Sequence, residues 1–269
     1  MSVDTGRVTV ADGVELAWAA HGDPSQPVLV LVHGFTGGAH DWAGVVDELA
    51  CTSRVITIEH RGHGASTNTG DPATYTFTQL AIDLTAALDA IAPPEFDLLG
   101  HSMGGIVSMH YALAHRDRVR SLILMDTAGR ASGDGPEHPL RIGVESVRAT
   151  GDLMGRLATF SGLLPDELRA TLEYSWAAMD PAAFVALGEQ LLTHDDGLLD
   201  QLAGFTAPTT VIVGEHDTGL RHGADELAAT IPGATLVVIP DAAHSPQIEN
   251  RESWLAAVAA HLGRSESGR

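Results

Sequence analysis

Lysine is missing from this 269-residue chain, and cysteine nearly so. Its 15 basic residues are all arginine and face 35 acidic ones, a formal net charge of −20. Phosphate backbones are held mainly by clustered positive charge, so no nucleic-acid partner is expected. Arg116, Arg118 and Arg120 form the one basic cluster, which reads as a solvated turn after a helix. A lone Cys51 removes any internal disulfide framework, and no Cys/His spacing matches a zinc site. No apolar run nears the roughly 20 residues of a membrane helix. MSVDTGRVTV has neither the charged nor the apolar region of a signal peptide, so the expected location is cytoplasmic, with no membrane partner. Asp195-Asp196-Gly197 begins like a calcium loop but lacks the terminal Glu, so no metal is expected.

What is present is enough for a core: 44% of the residues are hydrophobic. RVTV (7–10), Asp12-Gly13 and VELAWAA read as a hairpin with a two-residue turn. PVLVLV (27–32), RVITI (54–58), FDLL (96–99), VRSLILM (119–125), TTVIV (209–213) and ATLVVI (234–239) are short apolar runs, the pattern of strands buried on both faces. Between them lie helical patterns: one carrying Trp42, Val45, Val46 and Leu49, then 77–92 stopped by Pro93 and Pro94, 103–115, 223–230 and 251–262. Strands alternating with helices mean parallel crossovers. The expected fold is α/β, a doubly wound, mostly parallel sheet with an antiparallel hairpin at its N-terminal edge.

Residues 129–205 break the rhythm with helical patterns alone, PDELRATLEYSWAAM (165–179) and PAAFVALGEQLL (181–192) among them. A helical cap inserted between strands 6 and 7 is expected there, over a core domain of 1–128 and 206–269. Leu153, Met154, Leu157, Phe160, Leu163 and Leu164 exceed what a solvated excursion needs. Trp176, Tyr174 and Phe184 could line a pocket or glue the cap down; packing is the preferred reading.

FDLLGHSMGGI (96–106) carries the chemistry. G-x-S-x-G alone is weak, since three fixed positions give roughly one chance match in ten chains of this length. It gains mechanical meaning where a buried strand turns sharply into a helix and exposes the serine hydroxyl. Here a strand precedes Ser102 and a helical pattern follows. A nucleophilic serine also needs a base, an orienter for the base, and donors for the oxyanion. Each is on offer at the end of a different strand, where open α/β sheets build sites. His33-Gly34-Phe35 follows PVLVLV and, with the Met103 N–H, offers backbone donors. Gly214-Glu215-His216-Asp217 follows TTVIV, and Pro240-Asp241-Ala242-Ala243-His244 follows ATLVVI.

VLVLVHGF, HRGHGAS, GHSMGG, GEHD and AAHSPQIEN together resemble the α/β-hydrolase superfamily, in its capped, small-molecule branch. The resemblance spans nearly the whole chain. It implies Ser102 as nucleophile, Asp217 as acid, His244 as base, and Phe35 and Met103 as oxyanion donors. Where the family usually reads Asp-x-Arg-Gly-x-Gly after the fourth strand, this chain has Glu59-His60-Arg61-Gly62-His63-Gly64. Asp126, after VRSLILM, competes for the acid's role, because some members place the carboxylate there; Glu215 is a third candidate, expected to point away. His33, Gly34, His101 and Trp176 are candidate substrate-binding residues, with His33 ordering the oxyanion loop and His101 serving as wall or packing. His60 and His63 are read as structural.

The expected reaction is hydrolysis of a small, largely apolar carboxylic ester or lactone through an acyl-enzyme, without a cofactor. Resemblance trims the alternatives. Dehalogenases and epoxide hydrolases of this fold use Asp where Ser102 stands, and proline iminopeptidases read Gly-Gly-Ser. The carbon–carbon hydrolases typically read Gly-Asn-Ser. HGFTG is similar to the menaquinone-pathway synthase of this fold, but the arginine four places after that enzyme's nucleophile is here Ile106. A carbon–carbon hydrolase or a cofactor-free perhydrolase or haloperoxidase-type enzyme shares the triad and stays as runner-up. From another class, a small-molecule receptor with a slow hydrolase site has the same residues.

Overall fold

β1 (Val3–Ala11) and β2 (Val14–His21) pair antiparallel across the turn Asp12-Gly13, where Gly13 takes φ 72°. That left-handed geometry matches the twist of a two-residue hairpin. The computed structural model describes residues 3–131, 137–163 and 166–267. β3 (Val28–Val32), β4 (Arg54–Ile58), β5 (Phe96–His101), β6 (Val119–Met125), β7 (Thr209–Gly214) and β8 (Thr235–Ile239) follow along the chain. They form one sheet in the order β1-β2-β4-β3-β5-β6-β7-β8. β2 meets β4 antiparallel, and every pairing from β4 to β8 is parallel. The chain steps from β3 to β4 on one side and then to β5 on the other, so the switch point opens between the carboxyl ends of β3 and β5.

The strands' two-residue period divides the core into two layers. Val28, Val30 and Val32 of β3 face one cluster with Leu122 and Leu124 of β6, while Leu29 and Leu31 face the other with Ile123 and Met125. All five β3 residues are buried, each contributing about 1.5–3 kcal/mol by leaving water. Continuous apolar strands are therefore what a sheet covered on both faces requires.

α1 (Val46–Leu49), α2 (Phe77–Ile91) and α3 (Met103–Ala114) lie among the first six strands. The helix expected after HGFTGGAHDW is shorter than its pattern suggests: a 3₁₀ turn spans Ala39–Trp42 and α1 has four residues. Gly44 between them disfavours one continuous helix. Trp42, Val45, Val46 and Leu49 are nonetheless all buried, in the cluster that also holds Trp254 and Val258.

Between β6 and β7 come α4 (Pro139–Thr150), α5 (Leu153–Ala158), α6 (Asp166–Ala177), α7 (Pro181–Thr193) and α8 (Leu198–Leu202). This helical insertion is tied to the sheet-bearing part by specific bonds. Tyr75 Oη donates to Asp180 Oδ2 at 2.5 Å and Gly70 N–H donates to the same oxygen at 2.8 Å. Gln190 accepts from Phe77 N–H (3.0 Å) and donates to the Tyr75 carbonyl (2.8 Å). Phe35, Phe184, Trp176 and Phe160 stack in a chain with centroids 5.0–5.8 Å apart. Leu153 and Leu157 are buried, but Met154 and Leu163 are exposed, so the apolar excess there is smaller than the sequence suggests; Leu164 lies outside the described residues. α9 (Arg221–Thr230), α10 (Pro246–Glu249) and α11 (Arg251–Ser267) complete the fold. Among the described residues no helix is long and apolar enough to cross a membrane.

Candidate active site

Ser102 sits between β5 and α3 with φ 52° and ψ −121°, a left-handed backbone that costs a non-glycine residue on the order of 1–3 kcal/mol. Its neighbours make this turn feasible. A Cβ on Gly100 would lie 2.7 Å from the Gly105 Cα, and one on Gly104 2.9 Å from the Val32 carbonyl carbon. The strain is held from both sides: Ser102 N–H donates to the Met125 carbonyl (2.9 Å), and Thr127 Oγ1 donates to the Ser102 carbonyl (2.7 Å). The hydroxyl therefore stands at the mouth of the switch point.

Two loops from neighbouring strands meet it. His244, beyond β8, places Nε2 3.0 Å from Ser102 Oγ and Nδ1 2.6 Å from Asp217 Oδ2, which lies beyond β7. The loops are stitched together: Glu215 N–H donates to the Ile239 carbonyl (2.9 Å) and His216 N–H to that of Ala242 (2.8 Å). Glu215 turns away, taking the Asp241 N–H. Glu249 accepts from the N–H groups of Ala243 and Ser245, both at 2.9 Å, and so clamps the residues on either side of His244.

Removal of water around His244 lowers the imidazole's pKa, but the hydrogen bond and charge of Asp217, helped by Glu249, outweigh this and raise it. Asp217 shows the mirror image. Burial pushes its carboxyl up, yet the bond to His244, that imidazole's charge and the Leu220 N–H hold it below the usual range. Asp126 is fully buried on a left-handed backbone (φ 45°). Its Oδ1 accepts the Gly214 N–H at 2.9 Å, and burial pushes its pKa up to about 8. The sequence thus offers two acids, and the hydrogen bond to His244 goes to Asp217.

On the other flank, Gly34 approaches so closely that a Cβ there would lie 3.1 Å from Ser102 Cβ. His33 fixes the turn: Nδ1 donates to the Gly34 carbonyl (2.8 Å) while Nε2 accepts from His60 N–H (3.0 Å). Burial and the neighbouring His60 keep it neutral, well below its ordinary pKa. The two ring nitrogens of His63 face the carbonyls of Arg61 and Phe35; burial favours the neutral ring, which donates to one of them. Glu59 accepts from Ala39 N–H (3.2 Å) and Ala65 N–H (2.7 Å), joining this loop to the one after β4. Arg61 forms a buried two-pronged pair with Asp83 (2.5 and 2.6 Å). The Met103 N–H heads α3, where no preceding helical turn can accept it.

A cavity of about 430 Å³ opens over Ser102. Gly34, Phe35 and His101 line it, with Leu140, Leu168, Leu172 and Leu191 of the insertion opposite. His33 does not: its ring is buried beneath the loop. Trp176 faces a neighbouring cavity of about 330 Å³ shared with Phe35 and Phe160. His101 is more than wall, since Nε2 donates to the His244 carbonyl at 2.7 Å, and burial with the nearby His244 pushes its pKa down to about 3. The sequence reading missed Asp41, Gln247 and Glu249. Asp41 lines the cavity, and burial, beside Glu59 and against the Gly38 N–H, pushes its pKa up to about 7. Only the five-residue spacing from His244 to Glu249 could have marked the last of these.

A mostly parallel sheet of eight strands, a helical insertion after β6 and a strained serine turn after β5 give this chain the α/β-hydrolase fold, and its relatives support that superfamily. Residues 27–152 match the alpha/beta hydrolase fold family. The chain is similar to a putative 2-succinyl-6-hydroxy-2,4-cyclohexadiene-1-carboxylate synthase of Bacillus subtilis (strain 168), 26% identical over 91% of this chain and 93% of that protein. It is 29% identical to a pimeloyl-acyl-carrier protein methyl ester esterase of Chromobacterium violaceum, over 88% of this chain and 94% of the relative. The enol-lactonase from Burkholderia xenovorans LB400 superposes with a TM-score of 0.82 at 26% identity, covering 95% of this chain and 99% of that one.

Proposed function

We propose that this protein is a serine hydrolase that cleaves a small, largely apolar ester or lactone, with residues 129–205 as its cap. The observation that carries this reading is the unbroken hydrogen-bond chain from Ser102 Oγ through His244 to Asp217, at 3.0 and 2.6 Å. His244 Nε2 takes the hydroxyl proton as Oγ attacks the carbonyl carbon, and Asp217 holds the imidazole's tautomer and steadies the imidazolium. The N–H groups of Phe35 and Met103 receive the oxyanion. His244 then returns its proton to the leaving oxygen. Water repeats the cycle, so ester and water yield acid and alcohol.

The cavity supports the substrate class. Its insertion side is mostly leucine, with His138 and Thr171 among them, and no arginine lines it among the described residues. A carboxylate-bearing ligand of the kind in the synthase relative's name would therefore find no arginine to pair with there. The exposed free Cys51 is consistent with a proposed cytoplasmic location.

The test is steady-state hydrolysis of p-nitrophenyl acetate and butyrate. Multiple turnovers that vanish in Ser102→Ala are expected. A single stoichiometric burst without turnover would instead assign the protein to the small-molecule receptors.

A further inference from the structure

We propose that Asp126 is a positioning residue that donates a hydrogen bond from Oδ2 to the Asp217 carboxylate and thereby sets the basicity of His244. The proposal rests on the triad reading above. Asp126 is fully buried, its Oδ1 is used by the Gly214 N–H, and its Oδ2 meets no donor among the described residues. Such an orphan inside a protein is costly unless it finds a partner. What lies beside it is another carboxylate: one oxygen each from Asp126 and Asp217 and a nitrogen of His244 all fall within 4.8 Å of one another.

Two carboxylates this close cannot both ionise cheaply, so one keeps a proton. The more buried group is the one that does. Asp126 is pushed upward by burial, and Asp217, which has the imidazole and the Leu220 N–H to stabilise its charge, is held down. A proton on Asp126 Oδ2 then has Asp217 as its acceptor. The donor draws charge away from Asp217 and keeps the carboxylate in place. It also limits how far Asp217 raises His244, whose pKa must stay near the working pH to serve as a base.

The other ionisable groups around this pair do not replace that proton. His194 and Arg130 share a cavity of about 50 Å³ with Asp126. Burial lowers the His194 imidazole, and Arg130 pairs with Glu226. Glu249 and His101 bear on His244 from its far sides, the latter held neutral. Loss of the Asp126 proton at alkaline pH would remove the donor and add a second negative charge beside Asp217.

The experiment is a pH profile of kcat/KM for p-nitrophenyl butyrate with the wild type, Asp126→Asn, Asp126→Ala and, as control, Ser102→Ala. The wild type is expected to fall off above pH about 8. Asp126→Asn keeps a neutral donor, so it retains most of the rate and loses the alkaline fall. Asp126→Ala loses about tenfold below pH about 8, the worth of one hydrogen bond to a charged group, converges on the wild type above it, and its acid limb moves to higher pH. The far-downfield proton signal of the His244–Asp217 bond, recorded in the Ser102→Ala background, reads the same change without turnover and covers an unstable alanine variant. It is expected to hold its position in Asp126→Asn and to shift in Asp126→Ala. An alkaline fall that persists in Asp126→Asn, a wild-type profile in Asp126→Ala, or a signal indifferent to all substitutions at 126 overturns the proposal. Full turnover by Ser102→Ala would instead overturn the serine-hydrolase reading, while the proton signal would still report on the pair.

Discussion

Gly214→Ala is expected to disable the site from a position that touches no substrate. A Cβ at 214 would lie 2.6 Å from the Ala242 carbonyl oxygen and 2.8 Å from the Ala243 carbonyl carbon, and would overlap the Ala243 oxygen. Real Cβ atoms essentially never come within 3.0 Å of such neighbours, and these are backbone atoms, not a flexible side chain. The loop must retreat by about 1 Å to relieve this overlap, and the next residue along it is His244. Its Nε2 stands 3.0 Å from Ser102 Oγ, already at ordinary hydrogen-bond length. A displacement of about 1 Å at a reacting group costs on the order of 100-fold in rate. The overpacking itself should cost about 1–3 kcal/mol of stability. The assay is kcat for p-nitrophenyl butyrate alongside the melting temperature, with Gly44→Ala, whose Cβ meets nothing within 4 Å, as the tolerated control. Wild-type kcat and Tm in Gly214→Ala would refute the claim that backbone crowding seats the histidine.

Other consequences can be checked on the same protein. Arg61→Met leaves Asp83 buried without its partner; breaking such a pair costs about 3–5 kcal/mol, read as a Tm roughly 6–15 °C lower. Because His244 is raised above its ordinary value of 6.5, the acid limb of kcat/KM should lie above pH 6.5, with activity lost as the base is protonated; a limb below 6.5 would contradict the hydrogen bond to Asp217. His60 and His101 are buried and pushed down to about 3, so the unfolded chain binds protons that the folded one refuses. Stability should therefore be whole above pH 6.5 and decline as pH falls toward 3, by up to about 1.4 kcal/mol per pH unit for each histidine; urea titrations at pH 7 and 5 with equal midpoints would disprove it. Finally, a carboxylate-bearing acyl ester should be turned over at least about tenfold less efficiently than its neutral analogue, since the leucine-rich cavity offers no arginine to pair with the buried charge; equal kcat/KM for the two would remove that selectivity.

Local pattern alone determined much of this protein. The apolar runs at PVLVLV and VRSLILM, the Asp12-Gly13 turn and the stop at Pro93 are short-range signals, because strand period and turn chemistry act over a few residues. The elbow at Ser102 was readable for the same reason: strand, glycines and helix are contiguous in the chain. What the sequence left open were choices between residues that meet only across the sheet. Asp217 and Asp126 both follow strands, and spacing cannot tell which one reaches His244; the pairing of β7 between β6 and β8 brings both to the site and gives the Gly214 N–H to Asp126. His33 and Trp176 carried pocket chemistry in the sequence, yet one ring lies under its loop and the other faces the adjoining cavity. Glu59 stood out only as a departure from the family pattern, and that it joins two loops through the Ala39 and Ala65 amides is settled by packing. Burial then did what composition could not: it withdrew water unequally from chemically identical groups, and with their different partners it holds the Asp217 carboxyl below the usual range and pushes that of Asp126 up to about 8.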